Sequence, residues 1–466
     1  MTLSHSLWRT YDFTSLLEEA CSLQLEVEGT LPPGLDGTVY HIGPGRFEID
    51  GHPVAHWFDG FAMAASCVLS GGQARYTNRF LASAYYRQAL ETTRVPAGGV
   101  GSLSHHGAFH SSMDNTDMNL LNWQGTLEAL GDTPKRIVLN PETLATISSG
   151  SEIHPRHCLG RASHPVVDPE TDERYDLFFC SDNPSGYSVT VTSGKGKLRQ
   201  LCRVPAARLG YIQSFGVTEH HVIVTEPPFT ARLRSPLFRK RPYLYNFVWD
   251  AVEGTRITVI DRRTGTLQSA LTTHPLYFFD TLNSWEEGTS VIVDIGAYPD
   301  PSILNDLAFS PEKDAPGDFP AAQPTRLTID MARQNVTCIP FKCSAGTSFA
   351  IDPRFSMKRY MILFSNSPAR RGELATHLCR FNAADNTTLL WSAENCLTGE
   401  PVFVPASPEA PEGNGWLLSF VLDTLQHRSF LLVLHAETMR EVARAWLPHV
   451  LPFGLRTLFI SKGENS

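Results

Sequence analysis

The residues most able to bind a metal lie together in segment 154–158 (HPRHC), with His164 a few positions further on. Imidazole nitrogens and a cysteine sulfur are ligands that soft and borderline metal ions prefer. A proline and an arginine separate the two histidines of the segment, however, and the sequence has no matching ligand pair elsewhere. The pattern therefore favours loop histidines over a metal site at this position.

Motifs of several large enzyme classes are missing from the chain. It contains no GxSxG, GxxxxGK[ST] or HExxH pattern and no pair of CxxC motifs. Segment 43–45 (GPG) lacks the third glycine and the following helix of a dinucleotide-binding loop. Serine hydrolases with a nucleophile elbow, P-loop NTPases, zincin-type proteases and dinucleotide-binding enzymes therefore lose support.

The nine cysteines indicate the redox environment. They are odd in number and widely spread, at positions 21, 67, 158, 180, 202, 338, 343, 379 and 396. Reduced and mostly buried thiols in a cytoplasmic protein are the expectation from this pattern. Polar and charged residues interrupt the first twenty positions, so no cleavable targeting segment is expected.

Composition limits the class of protein. The chain has 466 residues, with Lys+Arg 39 against Asp+Glu 48, and its net charge of -9 argues against nucleic-acid binding. Hydrophobic residues at 42% and charged residues at 19% are typical of a globular protein. Gly 34 and Pro 32 are scattered rather than concentrated in a linker, which predicts one domain over 1–466 with an N-terminal extension of about 1–24.

Short β-rich runs bounded by Gly, Pro, Asn or Asp predict an all-β fold. The runs are 37–40, 175–179, 221–224, 256–260, 290–294 and 416–422. Segments 139–144, 259–265 and 433–439 each join an apolar run to a polar turn that contains threonine, as repeated hairpins would. This repetition favours a β-propeller over a sandwich. The best helical candidate, 438–446, is short.

Several motifs resemble those of the carotenoid cleavage oxygenases. The N-terminal ones are 35–48 (LDGTVYHIGPGRFE), 56–63 (HWFDGFAM) and 76–81 (YTNRFL). Those that follow, in family order, are 164–169 (HPVVDP), 283–287 (NSWEE), 352–355 (DPRF), 399–405 (GEPVFVP) and 441–445 (EVARA). Separate motifs in the same order make the match specific over roughly residues 25–460.

That family includes alkene-cleaving dioxygenases of carotenoids and stilbenes and the retinoid isomerohydrolase of vision. The resemblance implies a seven-bladed β-propeller with a loop and helix cap over a hydrophobic tunnel. It also implies an axial Fe(II) held by four histidines, three of which are hydrogen-bonded to glutamates. Neutral imidazoles leave positions open for O₂, and the carboxylates fix the orientation of the rings.

At the positions that match the four iron ligands, His164 is the one histidine that remains. Gln213 stands second, in YIQSFG, Asp280 third, in FDTLN, and Arg456 fourth, in PFGLRT. A guanidinium cannot lose its charge and repels Fe(II), so we predict no metal and no cofactor. An ion pair between Asp280 and Arg456, with Gln213 and His164 as hydrogen-bond partners, would satisfy this polar set.

The carboxylate positions of the family are partly kept. Glu400 matches one of them well and Asp132 matches another tolerably, but the third aligns near Thr347, which carries no charge. A carboxylate such as Glu400 would orient the ring of His164.

Three functions are open from the sequence. The tunnel implies a small lipophilic polyene, terpenoid or polyketide-like substrate, and the missing histidines imply isomerisation, cyclisation or a pericyclic step without O₂. In that case Asp280 would be the acid or base, Arg456 and Gln213 would polarise a carbonyl, and His164, oriented by Glu400, would relay protons. The second function is lipophile binding without turnover, and the third is an Fe(II) dioxygenase with a rearranged metal site.

Residues 227–249 alternate basic with aromatic and aliphatic residues. The segment fits a peripheral contact with a membrane surface or the rim of an apolar pocket. It fits equally well a solvated loop whose aromatic side chains belong to the core.

Overall fold

The protein is described by a computed structural model over residues 14–101, 113–151, 155, 157–231, 241–309 and 320–463. Strands dominate these ranges, which confirms the predicted all-β class. The described α-helices are α1 (Ala84–Thr92) and α2 (Ser302–Asp306). Short 3-10 helices occur at Trp57–Asp59, Leu244–Asn246, Ala251–Glu253 and Pro353–Phe355.

The strands have the following bounds in chain order. The first nineteen are β1 (Ala20–Gln24), β2 (Glu26–Gly29), β3 (Gly37–Arg46), β4 (Glu48–Ile49), β5 (His52–Pro53), β6 (Phe61–Ser70), β7 (Gln73–Phe80), β8 (Asn119–Trp123), β9 (Thr126–Leu130), β10 (Lys135–Leu139), β11 (Thr146–Ser151), β12 (Cys158–Arg161), β13 (Val166–Val167), β14 (Arg174–Cys180), β15 (Gly186–Thr192), β16 (Leu198–Pro205), β17 (Leu209–Gly210), β18 (Gly216–Val217) and β19 (His221–Glu226). The others are β20 (Phe229–Ala231), β21 (Val248–Trp249), β22 (Thr255–Asp261), β23 (Leu267–Thr273), β24 (Tyr277–Glu287), β25 (Ser290–Tyr298), β26 (Gln323–Asp330), β27 (Asn335–Pro340), β28 (Ser348–Ala350), β29 (Ile362–Pro368), β30 (Ala375–Asn382), β31 (Thr387–Ser392), β32 (Cys396–Thr398), β33 (Val402–Pro405), β34 (Gly415–Asp423), β35 (Arg428–His435), β36 (Arg440–Trp446) and β37 (Arg456–Ser461).

Seven sheets of four to six strands follow one another along the described chain, and their strands pair antiparallel. Their orders are β1-β7-β6-β3-β37, β11-β10-β9-β8, β12-β14-β15-β16 with β13 on β14, β18-β19-β22-β23, β24-β25-β26-β27, β28-β29-β30-β31, and β2-β36-β35-β34-β32 with β33 on β34. Smaller sheets are β17-β20-β21 and β4-β5. A succession of four-stranded antiparallel sheets is the pattern that propeller blades produce.

The two ends of the chain are joined by strand pairing. β37 pairs with β3, where Val39 lies opposite Phe459, and β2 pairs with β36, where Val27 lies opposite Ala445. Each end of the described chain therefore completes a sheet that is built mainly from the other end.

The apolar run 416–422 is explained by packing on both faces of its sheet. Leu418 and Phe420 of β34 belong to one hydrophobic cluster, while their neighbours Leu417 and Val421 belong to another. Successive side chains of a strand point to opposite faces, so a strand between two cores needs apolar residues throughout.

The predicted strands and hairpins are confirmed. The six β-rich runs lie in β3, β14, β19, β22, β25 and β34, and the three repeated segments form the turns β10/β11, β22/β23 and β35/β36. In one of these turns, Asp261 Oδ1 accepts the amide of Thr264 at 2.7 Å and its hydroxyl at 2.8 Å. The side chain thus replaces main-chain partners in the turn.

The prediction of a helix over 438–446 is wrong. Residues Arg440–Trp446 form β36, which pairs with β35 on one side and with β2 on the other. Two neighbouring strands satisfy its main chain, and this tertiary pairing outweighs local propensity.

Two of the cysteines correct the expectation of reduced thiols. Cys158 and Cys180 lie opposite each other in the β12/β14 pair and form a disulfide. The sulfur of Cys158 is therefore not a metal ligand, and His154 of the same segment lies outside the described residues. The free cysteines of the described chain are 21, 67, 202, 338, 343, 379 and 396.

A buried ionic network joins the second and third sheets. Asp176 of β14 contacts Arg161 and accepts from Arg174 at 3.1 Å. Arg174 also donates to Glu128 of β9 at 2.8 Å, and Glu128 contacts Arg136 of β10. Such charges require partners because burial removes their hydration.

Candidate active site

A cavity of about 170 Å³ is lined by residues from several sheets. Its apolar wall includes Trp57, Phe58, Phe279, Tyr298, Ile303 and Leu307. The structure brings four of the predicted site residues onto this cavity, namely His164, Gln213, Asp280 and Glu400. The fifth, Arg456, lies beside them and is bonded to Glu400.

His164 stands between β12 and β13. Its Nδ1 lies 3.1 Å from the main-chain oxygen of Gln213 and 3.0 Å from the Ser163 hydroxyl. A carbonyl oxygen can only accept, so Nδ1 carries the proton of the neutral ring and Nε2 keeps its lone pair. Burial lowers the pKa of His164 to about 4, although the neighbouring Asp280 raises it. The ring is therefore neutral at pH 7.

An irregularity in β24 brings Asp280 to the cavity. The pairing of β24 with β25 shifts register here, and the Ser214 hydroxyl donates to the Phe279 carbonyl at 2.7 Å and accepts the Thr281 amide at 2.6 Å. Bulges of this kind re-aim side chains and are frequent beside active sites. The Oδ1 of Asp280 lies 3.9 Å from the Nε2 of His164.

A chain of hydrogen bonds fixes the amide of Gln213. Its Nε2 donates to the Tyr211 hydroxyl at 3.0 Å, and this hydroxyl donates to Asp132 Oδ2 at 2.7 Å. Burial raises the pKa of Asp132 to about 7, while the bond from Tyr211 lowers it. The second hydrogen of this nitrogen is donated to Met118 Sδ at 3.6 Å, so Gln213 offers its amide oxygen as an acceptor.

The sequence reasoning missed Tyr211. It lies two positions before Gln213 in the segment YIQSFG. Alternate residues of an extended segment face the same side, so this spacing was the available signal.

The predicted ion pair between Asp280 and Arg456 is wrong. Arg456 donates to Glu400 Oε1 at 3.2 Å, and the other oxygen of Glu400 accepts the main-chain amide of Thr457. Glu400 lies two positions before β33, which packs beside β37, so the chain itself places this carboxylate next to residue 456. His164 is likewise held by Gln213 and Ser163 rather than by Glu400.

Glu400 makes the stability of the protein depend on pH. Burial raises its pKa from 4.5 to about 7, although Arg456 lowers it. Between these values the unfolded chain releases the proton that the folded chain keeps, so stability falls as pH rises. We expect the wild type to lose roughly 1–3 kcal/mol relative to Glu400→Gln between pH 5 and pH 8. Denaturant midpoints of both proteins measure this, and parallel profiles would contradict it.

The metal-ligand atoms at the cavity differ from those of the Fe(II) site that the family resemblance implies. In the ranges that the structure describes, no group of three or more His, Cys, Asp and Glu side chains could hold a metal ion. His164 and Asp280 offer one nitrogen and one carboxylate, while the charge of Arg456 is close enough to lower the pKa of His164. A cation at this distance repels a second one. The residues present do not fit a metal held by four imidazoles.

Segment 227–249 is described except for residues 232–240. Phe229, Tyr243 and Phe247 are buried in an aromatic cluster, as the core alternative predicts for them. Tyr245 and Val248 are 60% and 58% exposed, respectively. No helix among the described residues combines the length and hydropathy needed to cross a membrane.

The fold matches that of a known class of enzyme. The structure of cobalt-substituted apocarotenoid oxygenase from Synechocystis matches with a TM-score of 0.87 and 23% identity, over 98% of this chain and 99% of that one. This likeness shows the fold.

The family is established by sequence. The model of the family described as "Retinal pigment epithelial membrane protein" matches residues 13–461, so the chain belongs to this family, the carotenoid cleavage oxygenases. It is 26% identical to "Carotenoid cleavage dioxygenase 8 homolog B, chloroplastic" of Oryza sativa subsp. japonica, over 97% of this chain and 85% of the relative. It is 25% identical to human "Beta,beta-carotene 15,15'-dioxygenase", over 95% of this chain and 93% of the relative. The suspected family is thus confirmed.

Proposed function

We propose that this protein catalyses a non-oxidative isomerisation or cyclisation of an apolar polyene, terpenoid or polyketide-like substrate. The proposal rests on one observation, the presence of His164, Gln213, Asp280 and Glu400 on one largely apolar cavity. The two relatives, whose names refer to carotenoids and to carotene, support a carotenoid-like polyene as the substrate class.

Asp280 is the proton-transfer group in this proposal. Its carboxyl lines the cavity and faces the unprotonated Nε2 of His164. Asp280 would give a proton to one carbon of the polyene and recover one from another carbon, either directly or through His164 Nε2, which would pass it back across 3.9 Å. The product has a shifted double bond or a new ring and the same composition as the substrate.

Arg456 and Gln213 have different tasks in such a reaction. Arg456 would donate to a carbonyl oxygen of the substrate, while Glu400 holds the guanidinium in place. The amide nitrogen of Gln213 is already bonded to Tyr211 and to Met118, so Gln213 contributes its oxygen instead. That oxygen would stabilise positive charge that develops on the polyene.

A second candidate is an Fe(II)-dependent alkene-cleaving dioxygenase with a rearranged metal site. The two relatives favour it, since both are named as dioxygenases. The Arg456 guanidinium and the single imidazole nitrogen offered by His164 argue against it.

We further propose that the seven successive sheets are the blades of a seven-bladed propeller in one domain over 1–466, with loops and helices capping a tunnel that ends at the cavity. The sheet order and the joined chain ends support this arrangement. A peripheral membrane contact through 227–249 is also a proposal, supported by the exposed Tyr245 and Val248. The cytoplasmic location stays a prediction.

Metal analysis distinguishes the non-oxidative isomerase or cyclase from the Fe(II)-dependent dioxygenase. We expect the iron content of the purified protein to be far below one atom per chain. We also expect that the protein does not cleave β-carotene when Fe(II) is supplied anaerobically and O₂ is then added. The matched control is Gln213→His/Asp280→His/Arg456→His, which restores four imidazoles and is expected to bind Fe(II). About one tightly bound iron per wild-type chain would overturn the proposed function.

A further inference from the structure

One wall of the cavity carries polar side chains that the proposed reaction does not use. Thr347, Ser348, Asn366 and Thr398 all line the cavity. Asn366 is buried, and its Oδ1 accepts from the Thr347 hydroxyl at 2.9 Å and from the Ser348 hydroxyl and main-chain amide, both at 2.8 Å. Its Nδ2 donates to the Thr398 carbonyl at 3.1 Å.

The orientation of the Asn366 amide follows from these partners. The main-chain amide of Ser348 can only donate, so the atom it meets must be the amide oxygen. The main-chain carbonyl of Thr398 can only accept, so the atom it meets must be the amide nitrogen. Two independent contacts therefore give the same assignment.

The orientation of Asn366 determines what the two hydroxyl groups can offer a ligand. An amide oxygen has no hydrogen, so in their bonds to Asn366 the hydroxyl groups of Thr347 and Ser348 are the donors. What remains on each hydroxyl oxygen is lone-pair density. Both side chains are half-buried on the cavity wall, and with their hydrogens directed at Asn366 they present lone pairs to a ligand.

Thr398 adds a third acceptor of the same kind. Its hydroxyl donates to the main-chain oxygen of His377 at 3.3 Å, which leaves it, too, without a hydrogen for a ligand. The group formed by Thr347, Ser348 and Thr398, which we call the acceptor wall, thus selects for a partner that carries a donor.

We propose that the acceptor wall binds a hydroxyl group of the substrate, and hence that the substrate is a hydroxylated terpenoid or polyene rather than a pure hydrocarbon or an ether. The inference rests on the proposed function, because it concerns the same cavity. An alcohol can donate to the wall while its carbon chain lies against the apolar side chains that form the rest of the lining.

Three ligands with one carbon skeleton test this inference, namely geraniol, geranyl methyl ether and 2,6-dimethyl-2,6-octadiene. The alcohol has an oxygen and a donor, the ether an oxygen without a donor, and the hydrocarbon neither. We expect geraniol to bind the wild type roughly three- to tenfold more tightly than the other two, which bind alike. Displacement of a fluorescent apolar dye measures all three affinities.

The double variant Thr347→Val/Ser348→Ala removes two of the three acceptors, so we expect it to lower the preference for geraniol towards one and to leave the affinity for the hydrocarbon unchanged. Thr376→Val is the matched control, because Thr376 lies outside the cavity lining and its hydroxyl contacts His377. Circular dichroism checks that the variants fold, and the comparison of three ligands on the wild type does not depend on them.

The possible outcomes distinguish the inference from the proposed function. Equal binding of all three ligands, or a double variant that keeps the preference, overturns the acceptor wall and leaves the apolar cavity in place. Equal binding of alcohol and ether shows recognition of an oxygen rather than a donor, which also overturns it. Failure of all three ligands to bind overturns both the inference and the proposed class of apolar substrate.

Discussion

Replacement of Asp280 by asparagine is expected to lower turnover by roughly two to four powers of ten while substrate affinity changes little. Asparagine keeps the size of the side chain and most of its hydrogen bonding, but it has no proton to exchange at neutral pH. The measurement compares product formation and ligand binding for both proteins, with the polyene or terpenoid that the wild type converts.

The structure makes this variant a cleaner test than the sequence suggested. Arg456 is paired with Glu400, so Asp280→Asn does not leave a buried guanidinium without its partner. We therefore expect the melting temperature to change little. Arg456→Lys is the companion variant, because it keeps the charge and loses the planar fork. Normal turnover by Asp280→Asn would end the acid-base proposal and favour a lipophile-binding protein without turnover.

Strand positions could be predicted because their cause is local. Val222 and Val259 are apolar residues of short runs bounded by turn residues, and such runs become strands wherever their faces are buried. The turn at Asp261 also depends on neighbours within three positions. The prediction of a helix over 438–446 failed because pairing with β35 and with the distant β2, rather than the pattern of the segment itself, decides its secondary structure.

The sequence predicted which residues form the candidate site, but not which carboxylate pairs with Arg456. Motif order identified His164, Gln213, Asp280, Arg456 and Glu400, which the structure brings together. Which carboxylate meets the arginine depends on a few ångströms of loop path, and sequence spacing does not report such distances.

The sequence pointed to one member of the acceptor wall, Thr347, through its alignment near a carboxylate position of the family, but not to the wall as a group. Asn366 comes from β29 and Thr398 from β32, and neither lies in a motif that marks it as a cavity residue. Their common role becomes visible only when the hydrogen-bond partners of one amide are known.

The largest stability effect is expected at Asp176, in the network that joins the second and third sheets. The side chain of Arg161 is 0% exposed and that of Arg174 is 3% exposed, so neither guanidinium has much access to water. Asp176 supplies a carboxylate to both of them. Removing the charge of Asp176 lowers the negative charge that compensates two guanidinium groups with little hydration, and the loss of one partner of a buried ion pair is strongly destabilising.

We expect Asp176→Asn to lower the free energy of unfolding by roughly 3–5 kcal/mol, because asparagine keeps the shape of the side chain and loses its charge. Glu253→Gln is the matched control, since Glu253 pairs with Arg208 at 3.2 Å while 48% exposed. An exposed pair of this kind contributes at most about 1 kcal/mol. Urea unfolding of the wild type and both variants gives the comparison. If Asp176→Asn and Glu253→Gln unfold at the same urea concentration as the wild type, the network does not hold the two sheets together, and their packing must come from the apolar residues between them.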